Sequence, residues 1–130
     1  MRIELPYEEI LNVAEAADGY NEFTYDRLRE MLEHFDQIIP RAYYNEGNPN
    51  NGERAYKLAV GREGSMVVYM NLKGLWSSGG GQEAIKAINE NRDELEQAAR
   101  QIGKADEFDI SYRKDPAGHY EEAEIRIWWD

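Results

Sequence analysis

The chain contains no cysteine. That absence removes disulfides, thiolate-ligated zinc, iron–sulfur clusters and thiol nucleophiles together. Histidine is scarce as well: only His34 and His119 occur. A zinc centre wants convergent His, Asp or Glu ligands, often two His at helical spacing, and no H-E-x-x-H pattern is present. No metal or cofactor is therefore expected, and both histidines read as surface residues. Long apolar runs are missing too. None approaches the ~18 residues of a membrane span, and Met1 to Pro6 offers no apolar segment of a signal peptide. The expected location is cytoplasmic. Basic residues are in deficit, with 15 Lys+Arg against 26 Asp+Glu and a net charge of −11. Such a balance repels nucleic acid and anionic lipid, so direct binding to either is not expected.

Catalytic signatures are equally thin. No G-x-S-x-G elbow exists for a serine nucleophile. Ser77-Ser78-Gly79-Gly80-Gly81 precedes a helix, where free N–H groups can hold an anion. It ends in Gly-Gln rather than the Gly-Lys-Ser/Thr of a Walker A loop, and the dinucleotide fingerprint is absent. EF-hand spacing is absent as well. Carboxylate pairs are so numerous that no single pair is informative.

What is present is enough for one domain. A 130-residue chain with 42% apolar residues can bury a core of its own, despite a mean hydropathy of −0.81. Pro6 opens a first helix, since its missing N–H costs nothing at such a position. Ile10, Leu11, Val13, Ala14 and Ala17 supply its apolar stripe, and Gly19 stops it. Thr24 is a natural N-cap for a second helix. There Leu28, Met31, Leu32, Phe35, Ile38 and Ile39 recur at three- and four-residue steps until Pro40 breaks the pattern. The third helix runs from about Gln82 to Ile102, with Gly103 as its stop. Its stripe is Ala84, Ile88, Asn91, Leu95, Ala98 and Ile102.

Strand signals fill the remainder. Arg41 to Tyr44 predicts a short edge strand, followed by a polar loop over Asn45 to Gly52. Ala55 to Val60 and Ser65 to Leu72 form a hairpin across the loop Gly61 to Gly64. Its imperfect alternation suggests cover on both faces. Phe108, Ile110 and Tyr112 alternate with polar neighbours, as do Ala123, Ile125, Ile127 and Trp129. Each strand thus has one buried and one wet face, with a turn at Asp115 to Gly118. The predicted fold is a single α+β domain, residues 1–130, in the order α-α-β-β-α-β-β. A mostly antiparallel sheet of four or five strands is packed by three helices.

Function is read from charge and aromatics. The acidity sits at the two ends of the chain. Residues 1–52 carry −7, residues 53–81 carry +2 and residues 82–130 carry −6. A compact acidic domain can imitate nucleic-acid phosphate and occupy a basic groove. The expected partner is a basic protein surface, such as that of a nuclease or CRISPR effector. The protein would then act as a non-enzymatic inhibitor of anti-CRISPR, anti-restriction or nuclease-immunity type. The expected binding residues are Glu8, Glu15, Asp26, Glu30 and Glu33 on the first two helices. Glu107, Asp109, Glu122, Glu124 and Trp128 on the wet face of the last hairpin join them. One alternative is an adaptor docking through exposed aromatics, since Trp128 and Trp129 point to opposite faces of one strand. Another is a small enzyme or ligand-binding domain using the Gly79 to Gly81 loop.

Overall fold

A computed structural model describes residues 2–16, 23–40, 42–43, 52–53, 56–62, 66–74 and 80–129. Among them the elements run β1 (Arg2–Leu5), α1 (Tyr7–Ala16), α2 (Tyr25–Ile38), β2 (Ala42–Tyr43), β3 (Gly52–Glu53), β4 (Tyr56–Arg62) and β5 (Met66–Lys73). Then follow α3 (Gly80–Glu90), α4 (Arg92–Gln101), β6 (Glu107–Lys114) and β7 (Tyr120–Trp129). Five strands form one sheet in the order β1-β4-β5-β7-β6, and every pairing in it is antiparallel. The α+β class and the antiparallel sheet packed by helices match the sequence pattern. Residues 17–22, 44–51 and 75–79, which include Gly19, most of the Asn45–Gly52 loop, Ser77, Ser78 and Gly79, lie outside the described residues.

Local chemistry explains the helix boundaries. The Pro6 carbonyl accepts from the Ile10 amide at 3.0 Å and closes the first turn of α1. At α2 the Thr24 side chain accepts from the Arg27 amide at 3.2 Å, a cap worth about 1 kcal/mol. Its far end closes with the Ile39 amide on the Phe35 carbonyl, after which Ile39 is extended and Pro40 admits no further turn.

Three expectations need correction. First, Arg2–Leu5 is a strand, with Ile3 opposite Val60 and Leu5 opposite Leu58. Four residues before a proline carry too short an alternation to stand out. Second, the long C-terminal helix is two helices, so four rather than three are present among the described residues. Asn91 bends the chain there. Its side-chain amide donates to the Ala87 carbonyl at 2.8 Å, the same oxygen its own backbone N–H reaches at 3.0 Å. Such competition between side chain and backbone kinks helices. The polar residue in an otherwise apolar stripe was the signal. Third, Gly80 and Gly81 already belong to α3, and Gly61 and Arg62 continue β4 to the Arg62–Met66 pair. The glycine connection and the hairpin loop are both shorter than predicted.

The core lies between the helices and one face of the sheet. Met66, Val68, Met70 and Leu72 of β5 and Ala123, Ile125, Ile127 and Trp129 of β7 are all buried, and they pack with Leu28, Leu32, Phe35, Ile85, Ile88 and Leu95. Trp129 is 0% exposed. Its indole N–H donates to the Gly103 carbonyl at 2.7 Å, and Phe23 meets its ring edge-on at 4.9 Å. A buried indole needs such a partner for its one polar group. Gly103 itself is required for space: a Cβ there would lie 2.8 Å from Met31 Sδ. The left-handed residue in that corner is the next one, Lys104, at φ 57°.

Gln82 ties the layers together. Its amide donates to the Gly74 carbonyl at 3.1 Å and the Tyr120 carbonyl at 2.5 Å, while its oxygen accepts from the Tyr120 amide at 3.1 Å. The start of α3 is thereby fixed to the end of β5 and the beginning of β7. Gly74 permits this approach, because a Cβ there would sit 1.7 Å from the Tyr120 carbonyl oxygen.

Candidate functional site

Nine of the ten predicted binding residues fall on two opposite sides of the molecule. Alternation along β6 and β7 turns Glu107, Asp109, Glu122, Glu124 and Trp128 away from the core. Glu8, Asp26, Glu30 and Glu33 lie exposed on the helical layer. Glu15 is on α1, and its side chain lies outside the described residues. The fold does not merge the two groups into one surface.

On the sheet side the acids are matched by cations. The outer positions of β4 to β7 hold Glu107, Asp109, Glu122 and Glu124, and also Lys57, Lys73, Arg113 and Arg126. Glu122 is the most strongly held. Lys73 Nζ lies 3.0 Å from it, Arg113 Nη2 lies 2.9 Å from it, and the Asn71 amide donates to it at 2.5 Å. Asn71, then Lys73, keep the Glu122 carboxyl below its ordinary range, with Arg113 assisting. Asn71 reaches Glu124 as well, at 3.3 Å. Arg126 stacks its guanidinium over the Trp128 ring at 4.2 Å, a cation–π contact that covers part of the indole. Val67 sits opposite Trp128 on this outer face and is only 5% exposed. The expectation that β5 is covered on both faces holds at this position. Ser111, Tyr112, Arg113, Glu122 and Glu124 line a shallow open depression of about 220 Å³.

The helical side is different. Glu8 and Glu9 open α1, and Asp26, Glu30, Glu33 and Asp36 mark α2. Glu83 and Glu90 on α3 join Asp93, Glu94 and Glu96 on α4. Against them stand Arg27, Arg29, Lys86, Arg92 and Arg100, so acids outnumber cations about two to one. Some are paired. Arg29 lies 3.7 Å from Asp26 and 3.5 Å from Glu33, and Arg100 lies 3.2 Å from Glu96. Glu8, Glu9, Glu30, Glu83, Glu90 and Asp93 have no ion-pair partner among the described residues. Asp36 is drawn inward, accepting a hydrogen bond of 2.5 Å from the Tyr56 hydroxyl. The acids of α3 and α4 were not among the predicted binding residues. Their signal was available: they occupy the non-apolar positions of the C-terminal helical stripe.

The histidines take unremarkable places. His34, half-buried on α2, points Nε2 at Glu94 of α4 from 3.7 Å. His119 is exposed in the β6–β7 turn, 3.6 Å from Asp115. The Asp115 carboxylate accepts the backbone amides of His119 and Ala117, each at 2.9 Å. The His119 amide is the main reason its acidity is raised. Tyr112 Oη is shielded from solvent without a hydrogen-bond partner among the described residues, and burial pushes its pKa up. The described residues contain no group of three or more His, Asp or Glu placed to hold a metal ion. No helix among them is long and apolar enough to cross a membrane.

Comparison with protein-family models, with curated proteins and with solved structures found no match to this chain. The functional reading therefore rests on the residues and their geometry.

Proposed function

We propose that this protein is a non-enzymatic acidic binder that lays its helical face on a basic surface of a nucleic-acid-handling partner. It acts there as an inhibitor of anti-restriction, anti-CRISPR or nuclease-immunity type. The observation that carries the reading is the segregation of charge. The helical layer carries about twice as many acids as cations, while the outer positions of β4 to β7 carry acids and cations in equal number. A basic groove presented to the helical face finds acceptors for its Arg and Lys at Glu30, Glu90 and Asp93 without first displacing resident cations. Desolvating a charge that is already paired, as at Glu122, returns much less. Of the residues expected to bind from the sequence, Glu8, Asp26, Glu30 and Glu33 keep that role in this proposal. Glu94, Asp93 and Glu90 extend the surface.

An adaptor role through aromatics is the second reading. It is favoured by Trp128, which keeps part of its ring in solvent on the charge-balanced face. The two readings separate cleanly. In capture from a host-cell lysate at low salt, the acidic binder should retain nucleic-acid-handling proteins that added duplex DNA displaces. Glu30→Lys with Glu33→Lys should cut that capture by at least about tenfold, roughly 1.4 kcal/mol. Asp109→Lys with Glu124→Lys changes net charge equally and should cut it far less. Equal losses from both pairs would mean that only total charge matters. Capture that survives both pairs and fails in Trp128→Ala would put the adaptor in its place.

A further inference from the structure

We propose that the free edge of β6 is an interface between two copies of this chain. In it β6 pairs antiparallel with itself about a two-fold axis through Ile110. β6 is the last strand of the sheet, and among the described residues β7 is its only ladder neighbour. An edge of eight residues leaves every second N–H and C=O unpaired along its length. The opposite edge, β1, is half as long.

Proteins usually blunt such edges with proline, bulges or charges of one sign. β6 reads Glu-Phe-Asp-Ile-Ser-Tyr-Arg-Lys and has no proline or glycine. Its ladder does carry an irregularity, but the extra residue is Glu121 of β7. The register steps from Arg113–Glu122 to Lys114–Tyr120, so β6 itself stays regular. Its charges are not of one sign either. The acids Glu107 and Asp109 occupy the first half and the bases Arg113 and Lys114 the second.

That division is self-complementary. Residues directly opposite in an antiparallel pair share a face of the sheet. With Ile110 opposite its own copy, Glu107 stands opposite Arg113 of the second copy, twice by symmetry. Asp109 stands opposite Ser111 in the same way. On the core side Phe108 stands opposite Tyr112. Every outer-face charge thus meets an opposite charge or a hydroxyl. Glu107 and Asp109 are exposed and have no ion-pair partner among the described residues. Arg113 uses Nε and Nη2 for Glu121 and Glu122, leaving Nη1 to donate to the incoming Glu107. Because the axis is perpendicular to the sheet, both helical layers face the same way. The dimer is a continuous ten-stranded sheet with two acidic faces side by side.

Sedimentation velocity over a concentration series tests this. The wild type should shift from 15.1 kDa towards twice that mass. Glu107→Arg and Arg113→Glu each place like charges opposite one another, twice per dimer, and each should weaken association by on the order of tenfold. The double variant restores opposite charges in swapped positions and should recover the dimer. Glu107→Arg alters no ion pair among the described residues, so it separates loss of association from loss of fold, which far-ultraviolet circular dichroism monitors in every variant. A wild type that remains at monomer mass overturns the proposal. So does a dimer indifferent to Glu107→Arg, or a double variant no better than the singles while folded.

Discussion

The two faces of this protein use the same residue types to opposite ends. On the outer face of the sheet, each carboxylate of the last hairpin has a cation or amide among its cross-strand neighbours. Glu122 alone is held by Lys73, Arg113 and Asn71. On the helical layer, Glu30, Glu83, Glu90 and Asp93 project without an ion-pair partner among the described residues. Sheet geometry brings residues far apart in sequence side by side, so charge can be balanced across strands. A helix brings together only residues three or four apart, and α2 supplies Arg29 for two of its acids and nothing for Glu30. Charge on the sheet is thus built into the fold. Charge on the helices mostly faces solvent.

The sharpest contrast between the faces lies within one strand. Trp129→Ala empties a fully buried site and orphans the Gly103 carbonyl, and should cost about 4 kcal/mol in denaturant unfolding. Trp128→Ala, one residue earlier on the other face, loses the Arg126 stack and partial burial, and should cost about 1 kcal/mol. Similar losses from both would mean that the outer face is a second core rather than a surface.

Next in size is the outer-face network. Glu122→Gln should destabilise by about 1 kcal/mol at neutral pH, a modest figure because Lys73 and Arg113 are solvated. The Glu122 carboxyl is depressed in the folded state. Its contribution is therefore fully present above the ordinary carboxylate pKa and disappears as pH falls through the folded value. Stability curves of the variant and wild type should converge on acidification. A constant gap down to acid pH would show that the glutamine disturbs packing rather than charge.

The smallest effect should have the opposite sign. Glu30→Gln removes an uncompensated acid from a surface of like charges and should raise stability by a few tenths of a kcal/mol at low salt. Added salt should erase the gain. A loss of stability from this change would assign Glu30 a structural partner and break the distinction between the faces.

Much of the fold was legible because its signals are local. The Thr24 cap, the α2 stripe from Leu28 to Phe35 and the strict alternation of β6 and β7 each lie within one window of sequence. What escaped depends on distant neighbours. β1 exists because β4 offers it a ladder more than fifty residues away, and the kink at Asn91 depends on a side chain reaching its own helix. The distribution of exposed acids was half legible. The acids of α1 and α2 stand out on their helices as the sequence indicates. Those of β6 and β7 were counted as equally available, since Lys73 and Asn71 approach Glu122 only through the β5–β7 pairing.

That same pairing governs how the chain can assemble. β4 with β5 and β6 with β7 are hairpins whose strands are separated by short connections, and their ends meet early. The β5–β7 ladder joins strands that flank the whole of α3, α4 and β6. Closing it must order that entire stretch, a loop-closure cost that the two hairpins do not carry. The two hairpins meet along this one line. A chain cut between β5 and α3 would therefore yield two halves, each with an unsatisfied central strand, that recover the sheet only by finding one another.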